Sequence, residues 1–456
     1  MKYSAIIPQD GKLHITWYIL FIVNFFIMGG IRYFNLPFPI SFTVEIVYFL
    51  CILGVMSTKR FDGNAKRFSK TIFIIYLPWL AYSILEAGNV STGIAYNDVL
   101  TRWFAEVRTM AFQVIYGMLI CSAIFVKKEQ LKTMYKVWGI CIIICTLKTY
   151  YQQHVGFDAG EKEFLTWAYR THFVNGIIRY FSLFSDAANY GCNMAATTAV
   201  FGAVTLSCKN KKEKIFFAII TACSLYGMMA SGTRTGMFVL AAGAIVYATL
   251  SKKVTAIVTT AVLGGLFFAI LMFTNIGQGN PMIRRMRSAF SKDDASLSVR
   301  KMNQMAMKKY IDELPLGLGA GLTGEEVPPS NKNHFLAVVA PDSTWVYVNI
   351  HYGNIGKYIF LFSFIGMCIV GGFIVFFRIR DPELRGLLAG LVSGASAMVL
   401  AGYANQIMLQ YPNCFLFFGQ LMIVYLGPHM DKKIQEEQEE RDRRLLLSEE
   451  QSLETT

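Results

Sequence analysis

The chain has 456 residues, of which 54% are hydrophobic and 16% charged, and it carries a formal net charge of +13. An average soluble domain has about 25% charged residues, and here the apolar residues fall in long runs such as 254–273 and 358–377, which excludes a soluble globular protein. Nucleic acid is excluded as the reason for the positive charge, because the basic residues sit in short clusters between apolar runs, the positive-inside pattern of membrane topology.

A run of about 20 apolar residues crosses the hydrocarbon core of a bilayer, and the chain reads as about twelve such spans with both ends cytoplasmic. The first, roughly 14–33, lacks a small-residue cleavage site and reads as a span, not a cleavable signal. The second, roughly 39–56, ends at KRFDGNAKRFSK (59–70), whose five basic residues place it inside. Spans at roughly 71–87 and 108–126 bracket an external segment with Asn97, Asp98 and Trp103. Lys127, Lys128, Lys132 and Lys136 mark the next inside turn, and span five ends near Tyr151. An external stretch leads to span six (roughly 187–207), followed by the inside turn KNKKEK (209–214).

Spans seven and eight, about 215–230 and 235–250, meet at an external SGTRTG (231–236), and span nine covers about 254–273. A long non-membrane stretch follows, roughly 274–343. Span ten (about 355–377), the inside turn RIRDPELRG (378–386) and spans at about 387–406 and 414–427 complete the set. The expected division is 1–273 with nine spans, an external loop region 274–354, three spans in 355–430 and a charged, helix-prone tail 431–456. Backbone groups at membrane depth must be paired internally, so the spans are expected to be helices and the fold class all-α.

Nearly all nine cysteines fall inside or at the edge of apolar runs, where a thiol packs as a small hydrophobe, so no structural disulfide is expected. Cys141 and Cys145 share a helix face, but no His, Asp or Glu accompanies them, and no metal site is expected.

External basic residues run against the insertion bias and are informative for that reason. Arg179 precedes span six, Arg234 sits in SGTRTG, and Arg284, Arg285 and Arg287 open the long loop, followed by Arg300. From Pro281 to Lys309 eight basic residues face two acidic ones, Asp293 and Asp294, a local net of +6. The guanidinium fork suits phosphate oxygens, which points to an anionic lipid-linked diphosphate on the outer leaflet. Lipid headgroups or the acids Asp186, Asp293 and Asp294 are the alternative partners, and Arg32, Arg102 and Arg170 also thread outside. Gly317, Gly319 and Gly321 form a segment whose backbone could approach a ligand closely. His154, His172, His334 and His351 are external, and one beside the arginines could serve as a general base.

In this order, FSLFSDAANYGCNMA (181–195), SGTRTGMFVLAAG (231–243), then Arg300, PLGLGAG (315–321), an acidic or His motif and GNIG (353–356) resemble the O-antigen ligase and polysaccharide polymerase superfamily, over roughly 175–360. Ligases of that family carry a His-Asn pair where this chain has Asp342-Ser343, so the polymerase branch is the better fit and the ligase reading the alternative. The resemblance implies a helical membrane fold of the lipid-sugar glycosyltransferase class (GT-C-like) in the bacterial plasma membrane. It implies transfer of a glycan from undecaprenyl diphosphate to an acceptor glycan hydroxyl on the outer face, without cofactor or metal. Other polysaccharide-assembly membrane proteins are candidate partners.

On this basis Arg179, Arg234 and Arg300 are expected to grip the diphosphate, with Arg284, Arg285 and Arg287 as helpers and Asp342 or His351 as the base. Tyr180, Tyr190, Trp345, Tyr347 and Tyr352 are candidates for stacking on sugar rings. The competing class is a transporter or flippase. It would place ionisable residues near the bilayer midplane and repeat its halves, and the sequence shows little of either, with Glu45, Glu86 and Lys148 the few charges inside or near the ends of runs. A structural assembly factor would leave the external arginines without a role.

Overall fold

In a computed structural model, which describes residues 8–33, 40–56, 70–89, 96–125, 127–174, 176–288, 295–322 and 334–454, the chain is all-α and 83% helical. All the apolar segments read from the sequence fall on helices. In chain order these are α1 (Pro8–Tyr33), α2 (Ile40–Met56), α3 (Lys70–Leu85), α4 (Tyr96–Val107), α5 (Gln113–Ile124), α6 (Lys128–His154), α7 (Ala159–His172) and α8 (Ala187–Ser207). They continue with α9 (Lys211–Ala230), α10 (Thr235–Ser251), α11 (Val254–Phe273), α12 (Pro281–Arg287), α13 (Ala295–Glu313), α14 (Phe335–Val338), α15 (Thr344–Arg378), α16 (Pro382–Ala404) and α17 (Leu421–Glu454). Five helices among the described residues are long and apolar enough to cross a membrane: Lys70–Gly88, Asn97–Ser122, Lys211–Ala230, Thr344–Arg378 and Pro382–Ala404. The protein is a helical chain of membrane-protein character.

The helix ends have local causes. The Asp186 carboxylate accepts from the N–H groups of Ala188 and Asn189 at 2.7 and 2.9 Å, which starts α8. Asp158 and Glu161 form a reciprocal capping box at α7, and Asp381 caps α16 with Pro382 in its first turn. α8 and α16 are the interior of the bundle. They are buried along most of their length, and α8 packs against α9, α10 and α16.

Three segments depart from the sequence expectation. The stretch read as external before span four is helical from Tyr96 and runs through a π-turn (Arg108–Phe112) into α5, so Asp98 and Trp103 lie on a helix. The stretch between spans five and six holds α7 and a two-residue antiparallel hairpin, Phe173–Val174 with Ile177–Ile178. The described part of the long stretch read as external includes α12, α13 and α14, and the helix of span ten begins at Thr344, where Ser343 caps it.

α15 is broken at Gly353 (φ 67°, ψ −174°), a conformation that favours glycine. The break frees carbonyl groups, and the glycine-rich segment supplies their partners: Leu318 donates to Ile350 O at 2.7 Å, Gly319 to His351 O at 3.1 Å, and the Tyr82 hydroxyl to Tyr352 O at 2.9 Å. A Cβ on Gly317 would lie 2.5 Å from Gly353 N. A Cβ on Gly321 would lie 2.4 Å from Arg102 O, so the close approaches these glycines permit are to the broken helix and to α4. Irregular backbone at membrane depth requires this kind of internal repair.

Candidate functional site

The ends of the helices form two polar faces. α6, α9 and α16 each begin on one face, and there Lys132 bridges Glu383 (2.6 Å) and Glu213 (3.0 Å). Lys128 meets Glu383 at 3.0 Å and Lys136 meets Glu213 at 2.8 Å. Asp431, where the tail begins, accepts from the N–H groups of Arg380 and Asp381. Three of the basic turns that the sequence assigned to one side thus share one ion-pair network. Cys208, Glu213 and Glu383 bring ligand atoms within 4.8 Å of one another, but both carboxylates are already engaged by Lys132, which makes the trio a salt-bridge node.

The opposite face collects the arginines. The Arg179 guanidinium donates to Ser231 O (3.3 Å), Thr171 O (2.8 Å) and Thr233 Oγ1 (3.0 Å). Arg285 donates to Gly232 O at 2.6 Å. Gly232 has φ 57° and lies between the two side chains: a Cβ there would sit 3.0 Å from Arg285 Cδ and 3.6 Å from Arg179 Cγ. Arg234, two residues on, occupies the N-cap position of α10. Thr233 ties the turn to α8 through Ala187 O at 2.7 Å. Arg32, at the end of α1, donates to Phe184 O and to Ser185 O (2.6 Å), just before the α8 cap, and lies over the Phe164 and Phe181 rings.

The other expected site residues are placed as follows. Arg284 donates to Gln278 O (2.7 Å) and Arg287 to Ile276 O (2.7 Å), so both close the turn after α11 and only Arg285 of this trio reaches SGTRTG. Arg300 lies on α13, and its side chain is outside the described residues, as are Asp293 and Asp294. Asp342 is half-buried in a left-handed conformation (φ 55°) directly before the α15 cap. Ser343 and Thr344 are anchored there to Gly402 O and Asn405 O. His351 is fully buried beside Tyr347; its Nδ1 accepts from Gly321 N at 3.2 Å and lies 3.9 Å from Glu106.

Three of the four histidines read as external contact the backbone in the same way. His172 Nε2 accepts from Ala187 N at 3.2 Å and His334 Nδ1 accepts from Leu336 N at 3.3 Å, as His351 Nδ1 does from Gly321 N. Burial pushes His172 down to about 4, and the Arg179 and Arg32 guanidinium groups act in the same direction. Of the aromatics, Tyr190 and Tyr352 are core residues, and Tyr347 donates to Glu106 at 2.7 Å.

A buried polar network extends from the arginine face into the bundle, and sequence reasoning missed it. Ser185 meets Gln410 (3.3 Å), Asn189 reaches Tyr411 O (3.0 Å), and Asn193 meets Asn413 (2.6 Å). Deeper, Gln113 contacts Tyr411 and Glu45, and Arg108 at the π-turn pairs with Glu45 at 3.0 Å. Glu45 and Lys148 carried a signal as charges in or near apolar runs; Arg108 did not stand out, because it sits where a span was expected to start. A groove of about 420 Å³ opens between α10, α15 and α16, lined almost wholly by apolar side chains, with Trp345 at one end. Because α15 breaks at Gly353, Trp345 on its first arm and Ile365, Cys368 and Ile369 on its second line the same groove.

No protein-family model matches the chain, and no curated protein matches it either.

Proposed function

We propose that the chain is a bacterial plasma-membrane glycosyltransferase of about twelve spans, GT-C-like in fold, that polymerises polyprenyl-diphosphate-linked glycan repeat units on the face carrying the arginines. The observation that carries this reading is the convergence of Arg179 and Arg285 on the Ser231–Gly232 carbonyls, beside Arg234. Carbonyl groups fix where a guanidinium points, and cations held in place are what a departing diphosphate needs. The lysine-rich turns on the opposite face support a cytoplasmic assignment for that face and for both termini.

In the proposed step the acceptor hydroxyl attacks C1 of the donor sugar and the C1–O bond to phosphate breaks. The bonding pair leaves with the diphosphate, which Arg179, Arg234 and Arg285 hold, with Arg300 assigned the same role from its place in the sequence. The hydroxyl proton passes to Asp342, preferred to the buried His351 because its side chain is partly open. Direct displacement inverts the anomeric centre. The apolar groove that Trp345, three residues from Asp342, helps to line is assigned to the polyprenyl tail.

The test is a gel of surface glycans from deleted cells complemented with wild type, Arg234→Ala or Arg300→Ala. Single repeat units without a ladder support a polymerase, and a normal ladder from both variants overturns the proposal. Long chains accumulating on the carrier lipid would assign the ligase reaction instead. The buried Glu45–Arg108 pair favours a second reading, a flippase for the same anionic lipid; it predicts that unpolymerised units accumulate on the cytoplasmic leaflet of the deletion strain.

A further inference from the structure

A second cavity, separate from the arginine face and the apolar groove, lies on the seam between α13 and α15. It has a volume of about 510 Å³ and is lined by Gln304, Lys308, Asp312, Asn349, Asn354 and Lys357 among others. That size falls within the roughly 300–1,000 Å³ of ligand pockets. Its floor is the packing of Met307 and Ile311 of α13 against Ile350 and Val346 of α15. Gln304, Lys308 and Asp312 repeat every fourth residue and so form one stripe of α13 beside that contact. On the other wall the break at Gly353 turns Asn349, before it, and Asn354, after it, into the same space.

The lining has the chemistry of a hydroxyl-rich ligand. Three carboxamides each offer a donor and an acceptor, which suits the paired hydroxyls of a sugar. Lys357 reaches Asn354 Oδ1 at 3.3 Å and lies over the Tyr358 ring at the rim, leaving an aromatic surface at the edge. The Oδ1 of Asn349 is buried with no hydrogen-bond partner among the described residues. A buried amide acceptor without a donor is costly, and a ligand hydroxyl would supply one. The position is also informative. Trp345 lines the apolar groove while its neighbour Val346 lines this cleft, so the first arm of α15 separates the two. Asp342 stands at the start of that arm, seven residues before Asn349, about 10 Å at the helical rise.

We infer that this cleft is the acceptor-glycan subsite, holding the sugar chain whose terminal hydroxyl is delivered to Asp342. The inference rests on the glycosyltransferase reading above. It predicts that the cleft governs elongation and glycan binding, while the arginines govern the bond-breaking step.

The test uses the full chain in lipid nanodiscs, with the repeat-unit oligosaccharide released from the carrier lipid of the same cells by mild acid as probe. Saturation-transfer NMR should show binding to wild type and to Arg234→Ala, weakened about tenfold in Asn349→Leu. In cells Asn349→Leu should leave a ladder cut short after the first additions, whereas Arg234→Ala leaves none. Wild-type binding and a full ladder from Asn349→Leu and Gln304→Ala, with Arg234→Ala still blocked, would overturn the subsite and leave the transferase reading standing. A full ladder from Arg234→Ala as well would overturn both. Should Asn349→Leu fail to accumulate in the membrane, Gln304→Ala and the exposed Lys308→Ala decide the matter by the same two readouts.

Discussion

The two polar ends of the bundle use positive charge in different ways. At one end Lys128, Lys132 and Lys136 pair with Glu213 and Glu383 at 2.6 to 3.0 Å, and the node is a latch that holds α6, α9 and α16 together. At the other, Arg179 and Arg285 are steered by carbonyl and hydroxyl oxygens into one turn, and Arg32 by two carbonyls beside it. Charge that meets charge at the first end is structural, whereas at the second carbonyl and hydroxyl oxygens set the direction in which the guanidinium groups point. The proposed function assigns stability to the basic residues of one end and chemistry to those of the other, and mutations should separate the two.

The largest separation is expected in activity. Arg179→Ala or Arg234→Ala should lower glycan transfer about 10²–10³-fold, the loss typical of one preorganised donor to a developing anion, with little change in thermal midpoint. Lys132→Ala should do the reverse. It removes the lysine shared by Glu213 and Glu383, which keep Lys136 and Lys128, costing about 1–3 kcal/mol of stability, read as a fall in the thermal midpoint of the purified protein, while transfer by the folded fraction is unchanged. Equal losses of activity from both variants would break the comparison.

A histidine-based pH effect belongs to the arginine end. His172 is held at about 4 against an ordinary 6.5, so its contribution is present above pH 6.5 and is lost as pH falls toward 4, where the unfolded chain takes a proton that the folded one refuses. At roughly 1.4 kcal/mol per unit this is about 3 kcal/mol. Thermal midpoints measured between pH 7 and 4 should fall for wild type and flatten for His172→Gln; parallel curves would remove this imidazole from the account. The smallest effect is reserved for Arg284→Ala, whose guanidinium serves its own loop: transfer should stay within about threefold of wild type, against a loss of tenfold or more for Arg285→Ala.

Much of the helical frame was legible. Span six was read at roughly 187–207 and α8 runs Ala187–Ser207, because an Asp186 cap and the KNKKEK turn are local signals at either end of an apolar run. Arg179, Arg234 and Arg285 stood out as basic residues where insertion disfavours them, but nothing local separated Arg285 from Arg284 and Arg287. The glycines at 317, 319 and 321 announced a close approach without saying to what; the partners are the broken α15, reached through Leu318 and Gly319, and Arg102 of α4, beside Gly321. Histidines read as external were candidate bases, and what the sequence did not show is that His172, His334 and His351 all accept backbone N–H groups.

By itself the sequence determined that this is a helical membrane chain, where its apolar helices lie and which turns share a face, since run length and Lys/Arg clustering act over a few residues. Tertiary structure decided which arginines meet, that Glu45 finds Arg108, and that α15 breaks to present Trp345 to one groove and Asn349 to another cleft. Those outcomes depend on pairings far apart in the chain. Arg285 reaches Gly232 across 53 residues and Gln113 reaches Tyr411 across 298, and only packing the helices brings such partners within hydrogen-bonding distance.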